Sequence, residues 1–219
     1  IFHLAAQSSV PFSLKNFNES SVNNLTSSIK VFDLAKRFSV PVVYASSSAI
    51  YGKLSIGNDK LEKYSITSPY GQDKITLENY AKMSNKLFKI PSIGLRLFNV
   101  YGPGQNPNNP YSAVIPIFLK KMKKNLSVII NGGHQTRDFI FVEDVIKIMT
   151  LSMRKIQNSK KCEIFNVGTS RSITINYLYY LMKKKLRSKS KFKRRKLDKF
   201  DPKKSSGTFI KLNKFLNLK

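Results

Sequence analysis

Apolar and polar positions along this chain fall into blocks whose period changes from one to the next. Residues 40–45, Val-Pro-Val-Val-Tyr-Ala, are a short, continuous apolar run rich in β-branched side chains, which predicts a strand buried on both faces. From Tyr70 the apolar residues move to helical spacing, through Ile75, Leu77, Tyr80, Ala81 and Leu87 to Phe88, and Ser68-Pro69 supplies a start signal for that helix. The same reading predicts strands over Ile1–Leu4, Val42–Ser46 and Ser92–Leu97 and helices over Val22–Phe38 and Tyr70–Phe88. Strand and helix in alternation are what a parallel α/β sheet requires. After Gly102 the pattern breaks into a turn-rich loop over Pro103–Pro110, a helix near Ser112–Lys123, short strands near Val128 and Phe139, and a helix after Val142.

Chemistry gathers where the first strong strand meets the first strong helix. Ser46, Ser47 and Ser48 follow the apolar run, and hydroxyls at the carboxyl end of a strand sit where open α/β sheets bind ligands. Tyr70 and Lys74, four apart, share one face of the predicted helix. A free phenol with a pKa near ~10 is too weak an acid to serve as a base at neutral pH, and an adjacent cation favours the phenolate. A serine hydroxyl, both donor and acceptor, can hold the oxygen whose proton is moved. Taken alone, Tyr-x-x-x-Lys also describes a solvated helix face; the serine strand beside it favours a proton-relay site.

Charge and cysteine usage narrow the field. The chain has 219 residues, is 41% hydrophobic, and carries a formal net charge of +27. It is long enough for a sizeable core, of one domain plus a smaller lobe. Its one cysteine, Cys162, excludes a disulfide framework and reads as an inert core thiol. The absence of a long apolar run predicts no membrane span, and a cytoplasmic protein is the expectation. The densest basic segment, 183–204, is interrupted by one aromatic, Phe192, before Phe200. It reads as a solvated face or loop, so no specific nucleic acid and no membrane partner are expected. His3 falls in a buried strand and His134 in a glycine turn, with no ligand spacing between them, so metal catalysis is set aside.

Six segments in order resemble the extended short-chain dehydrogenase/reductase superfamily, and within it the NAD-dependent nucleotide-sugar epimerase/dehydratase branch. They are residues 1–7, 44–52, 68–74, 95–103, the pair 135–139 and 142–145, and 165–168. The resemblance implies the C-terminal part of a Rossmann-type doubly wound parallel sheet plus a smaller α/β substrate-binding lobe. Residues 1–101 would be a partial NAD-binding domain and 102–219 mainly the lobe. Members open with a G-x-x-G-x-x-G turn for the pyrophosphate, which does not precede Ile1; the expectation is a fragment that starts at about the fourth strand and lacks roughly sixty to seventy residues.

The resemblance also implies roles. Ser47, Tyr70 and Lys74 would be catalytic, with Ala5, Ala6, Gln7, Tyr70 and Lys74 beside NAD. Ser48, Asn99 and Arg137 would meet a UDP-sugar, and the full-length enzyme would be a homodimer. Arg137 has the planar guanidinium that suits a diphosphate, although a simple pair with Asp138 is the plain alternative; Asn99 could instead cap a turn. Family dehydratases carry a glutamate just before the Val/Ile-Tyr-Gly of the serine strand, often with an aspartate before it, where this chain has Ala49 and Ser48. The expected reaction is therefore NAD-dependent 4-epimerisation of a UDP-sugar, of the glucose/galactose or N-acetylated type, through a transient 4-keto sugar. A nucleotide-sugar dehydratase or reductase relative, or a catalytically inactive fragment, is the alternative, and the fragment on its own is expected to be inactive. Asp201–Ser205 resembles a late family segment, except that Phe200 stands where glycine is expected.

Overall fold

The computed structural model describes residues 1–108 and 113–217. Its centre is a four-stranded parallel sheet in the order β1 (Phe2–His3), β2 (Val42–Ser47), β3 (Ser92–Leu97), β7 (Cys162–Val167). Pairing between β2 and β3 runs from Val42 against Ser92 to Ser47 against Leu97, so the serines end the strand beside Arg96 and Leu97.

Alternation along β2 divides the core in two, because successive side chains of a strand point to opposite faces. Val42 and Tyr44 pack with Phe32, Ala35, Leu77, Ala81 and Ile90 under α2 (Phe17–Phe38) and α3 (Pro69–Phe88). Val43 packs on the other face with Ile93, Leu95, Phe165 and Val167, beneath α5 (Val142–Ile156) and α7 (Ile210–Leu216). Gly94 in β3 is required by close approach, since a Cβ there would lie 2.5 Å from the Tyr44 hydroxyl.

Several elements differ from the sequence expectation. β1 is shorter than Ile1–Leu4, and α2 begins at Phe17, five residues before Val22. An additional helix, α1 (Val10–Lys15), is only six residues long, and its Val10, Phe12 and Leu14 alternate with the period of a strand; Ser9 caps it by accepting from Phe12 N–H at 3.1 Å, and proline occupies its first turn. The helix expected near Ser112 is α4 (Val114–Lys123), and β5 (Val128–Asn131) and β6 (Thr136–Phe141) are the two short strands. Ser112, and Asn109 and Pro110 of the expected loop, lie outside the described residues.

The later elements make two smaller sheets. β4 (Asn99–Tyr101) pairs parallel with β6, and β6 pairs antiparallel with β8 (Ser172–Thr174). β5 pairs parallel with β9 (Phe192–Arg195), so part of the basic segment expected as a solvated face or loop is a strand. Phe118, Met122, Val128, Ile130, Leu178 and Tyr179 form the core shared by α4, β5 and α6 (Ile175–Lys185). Beyond residue 101, β7 returns to complete the first sheet and α5 and α7 return to cover one of its faces. No helix among the described residues is long and apolar enough to cross a membrane.

Candidate active site

The strand ends of the central sheet open into a cleft of about 1040 Å³. Ala6, Ser47, Ser48, Tyr70, Lys74, Asn99 and Arg137 line it, whereas Ala5 and Gln7 do not. Gln7 instead holds the loop after β1 in place: its backbone N–H donates to Asn24 Oδ1 at 2.7 Å and its carbonyl accepts from Asn24 Nδ2 at 3.1 Å.

Local sequence fixes the start of α3 against the serine loop. Ser68 caps the helix by accepting from Gly71 N–H at 3.2 Å, and Tyr70 N–H donates to Ser13 Oγ at 3.2 Å. A Cβ on Gly71 would stand 3.1 Å from Ala49 O, so the missing side chain lets the first helical turn press onto the segment after Ser47. Ser47 itself accepts from Ala49 N–H at 3.1 Å. One turn further along α3, the Lys74 ammonium donates to Ala45 O at 2.8 Å and lies 5.7 Å from the centre of the Tyr70 ring.

The electrostatics depart from the simple expectation that Lys74 lowers the phenol pKa. Burial pushes Tyr70 up, hydrogen bonding with Ser47 pulls it back, and Asp73 adds to the rise. Burial also lowers Lys74 to about 8, against the opposing pull of Asp73 and Glu78. Both groups are nearly enclosed, and desolvation is the largest cause in each case, outweighing the Ser47 hydrogen bond at Tyr70 and the charges of Asp73 and Glu78 at Lys74.

Sequence reasoning missed the polar frame behind these residues. Glu78, on α3, accepts from Ser46 Oγ at 2.6 Å, from Arg96 Nε at 2.8 Å and from Arg96 Nη2 at 2.7 Å. Arg96 Nη1 also donates to the Tyr51 hydroxyl at 2.8 Å, which donates to Asn166 Oδ1 at 2.7 Å. Burial disfavours the guanidinium charge, but the hydrogen bonds and charge of Glu78 prevail and hold Arg96 above its ordinary range. Tyr51 is pushed up to about 12 by burial. The available signal was Arg96 itself: a cation in an otherwise apolar buried strand demands a partner. Asp73 forms a second tie, accepting from Ser21 Oγ at 2.8 Å and Asn24 Nδ2 at 2.9 Å, and so joins α3 to α2 and the β1 loop.

On the opposite wall, Arg137 does not pair with Asp138. Its Nη2 forms an ion pair with Asp201, and Nη1 donates to Pro202 O at 2.8 Å. The Asp138 carboxylate accepts from Thr169 N–H and Oγ1, each at 2.8 Å. Residues 203–205 hydrogen bond along β6, which sets Asp201, Pro202 and Ser205 in the cleft wall and places Phe200 there too. Asn99 Nδ2 donates to Asp138 O at 3.1 Å, tying β4 to β6. His3 bonds Ser28 Oγ at 3.1 Å, and His134 is exposed, so neither histidine lines the cleft. Cys162 accepts from Ser92 Oγ at 3.3 Å, and burial raises its thiol.

Residues 1–168 match the profile of the NAD dependent epimerase/dehydratase family. The chain belongs to that family. A candidate UDP-glucose 4-epimerase of Methanocaldococcus jannaschii is 36% identical over 187 residues, covering 84% of this chain and 59% of that protein. Among solved structures, a UDP-N-acetylglucosamine 4-epimerase from Methanobrevibacter ruminantium M1 in complex with UDP-N-acetylmuramic acid superposes with a TM-score of 0.91 at 34% identity, covering 98% of this chain and 69% of that one. A Thermotoga maritima UDP-glucose 4-epimerase with UDP-glucose also gives 0.91, at 30% identity over 97% and 69%. The fold is thus that of the Rossmann-type epimerases, and this epimerase/dehydratase chain spans about 59% of the length of the first of these relatives.

The residues present fit the reactive end of NAD. Lys74 is a buried ammonium whose one described hydrogen bond goes to Ala45 O, although an ammonium carries three donors. It lines the cleft beside the Tyr70 phenol, and the strand ends around it carry small side chains, Ala6, Ala45 and Ser46 to Ser48, that leave space for a ring and a ribose.

Proposed function

We propose that this chain carries the catalytic site of an NAD-dependent UDP-sugar 4-epimerase of the glucose/galactose or N-acetylated type. The observation that carries the reading is the convergence of Ser47, Tyr70 and Lys74 on one cleft, next to a strand end where Ser48 and Ala49 stand in place of a carboxylate. The 4-epimerases among its relatives support the same reading.

In this account Ser47 Oγ holds the sugar 4-oxygen, donating or accepting as its protonation requires. Tyr70 Oη would act as the phenolate, its own proton having passed to solvent under the positive charge of Lys74 and of bound NAD; it then takes the proton of that oxygen as the transient 4-keto sugar forms, and returns it. Lys74, with a pKa of about 8, is mostly an ammonium at pH 7; it supplies the positive charge beside the phenol and offers its free N–H donors to the cofactor ribose. NAD, when bound, supplies the acceptor and donor of the hydride at C4. Arg137 exchanges Asp201 for the diphosphate, with Asn99 and Ser48 along the sugar's path. A cleft of about 1040 Å³ leaves room for the keto sugar to turn and present its other face.

The test is product analysis by proton NMR with NAD and either UDP-glucose or UDP-N-acetylglucosamine. It uses the chain and a fusion that supplies the part of the relatives' length the chain does not span. Inversion at C4, without loss of water, net NADH or solvent deuterium in the sugar, is the expected result. A 4-keto-6-deoxy product would place the chain with the dehydratases; stoichiometric NADH would mean net oxidation of the sugar, and a reduced sugar formed only when NADH is supplied would place the chain with the reductases.

A further inference from the structure

Away from the cleft, the C-terminal ends of α4 and α6 are fastened together. Ser188 Oγ donates to Met122 O at 2.8 Å, and Lys189 N–H donates to Asn125 Oδ1 at 2.8 Å. This joint gathers exposed cations, Lys123 and Lys124 from one side and Lys184, Lys185, Arg187 and Lys189 from the other. None of the six forms an ion pair among the described residues. Residues 113–131 and 175–197, which build this region, contain no aspartate or glutamate.

Helix capping does not account for so much charge. Each helix C-terminus carries only about half a negative charge, so a single lysine would offset both. Apolar groups are interleaved with the cations: Leu126, 54% exposed, projects from the turn after α4. On α6, Tyr177, Tyr180 and Leu181 are exposed and share a face with Lys184 by their spacing. Unpaired ammonium groups around exposed leucine and tyrosine match the chemistry of an anionic bilayer surface, where headgroups take the charges and the interface takes the apolar and phenolic side chains. A nucleic acid would use the same charges and tyrosines but leave Leu126 and Leu181 without a partner.

We propose that this face, formed by the ends of α4 and α6 and the turn at Leu126, docks peripherally on membranes that carry anionic phospholipid. The docking does not depend on the catalytic assignment, since none of these side chains lines the cleft. The test is co-sedimentation of the chain with vesicles of phosphatidylcholine alone and of phosphatidylcholine mixed with phosphatidylglycerol. Binding to the anionic vesicles should be at least about tenfold tighter and should weaken as salt rises above ~0.1 M. Charge reversal at Lys123, Lys124, Lys184 and Lys185 should abolish the preference. Leu126→Ser, with every charge kept, should weaken binding at least about threefold. All five side chains are exposed or at the surface, and circular dichroism checks that each variant folds. Equal binding to both vesicle types would overturn the proposal. So would an unchanged affinity in Leu126→Ser together with displacement of the chain from vesicles by single-stranded RNA, which would mark a site for polyanions generally.

Discussion

The Lys74 ammonium stands one helical turn from Tyr70, 5.7 Å from the centre of its ring, and is anchored on Ala45 O at 2.8 Å. Burial drives the two groups' proton affinities apart, the phenol upward and the ammonium down to about 8. The site therefore holds a neutral phenol beside a cation whose charge is costly to keep, and that charge becomes useful when an anion forms on the phenol.

The cost should be visible in the pH dependence of stability. Lys74 binds its proton less tightly in the folded chain than in the unfolded one, with a pKa of about 8 against 10.5. Below about pH 8 both states carry the charge and its burial penalty is present in full. Between about pH 8 and 10.5 the folded state gives up its proton first, so this group's contribution rises with pH by roughly 3 kcal/mol. Relative to Lys74→Met, the parent chain should therefore gain stability from pH 7 to 10.5, as measured by urea unfolding. A difference that stays constant over that range would show Lys74 to be solvated.

The buried Glu78–Arg96 pair should behave as one unit. Glu78→Gln leaves the Arg96 guanidinium without its countercharge, which should cost about 3–5 kcal/mol. Replacing both, as Glu78→Leu with Arg96→Met, should cost less than the sum of the single changes. Because Ser46 Oγ donates to Glu78 at 2.6 Å, the single variant should also loosen the end of the serine strand. Additive effects in a double-mutant cycle would refute the coupling.

Arg137 and Asp201 make opposite predictions for nucleotide binding. Arg137→Ala should weaken UDP binding by roughly 2 kcal/mol or more, because a charge-assisted contact is removed. Asp201→Asn removes a competing carboxylate and should leave binding equal or tighter. Calorimetry giving unchanged affinity for Arg137→Ala would reduce this arginine to a structural link between β6 and the 198–206 segment.

Local signals were legible where one segment carried its own instructions. The apolar run of β3 gave Ser92–Leu97 residue for residue, and Ser68-Pro69 marked the start of α3 to within one position. The cap of α1 was also present at Ser9, but the helix is only six residues long and its Val10, Phe12 and Leu14 alternate with the period of a strand, which concealed it. What the sequence could not display was pairing at a distance. Arg96 announces a need for a countercharge without indicating Glu78, and Arg137 stands 64 residues from Asp201. The run Phe192–Arg195 has no strand-like pattern of its own; its form comes from β5, far back in the chain. The return of β7 to the central sheet is hidden for the same reason, since its partner β3 was made some seventy residues earlier.

The most direct test of the catalytic reading is Tyr70→Phe in the NAD-dependent reaction, with turnover and UDP-sugar affinity measured side by side. Removal of one hydroxyl keeps the packing of a buried ring and takes away the atom that moves the proton. The account predicts a fall in turnover of at least about a hundredfold with sugar-nucleotide affinity nearly unchanged. Epimerisation at close to the parent rate would contradict it.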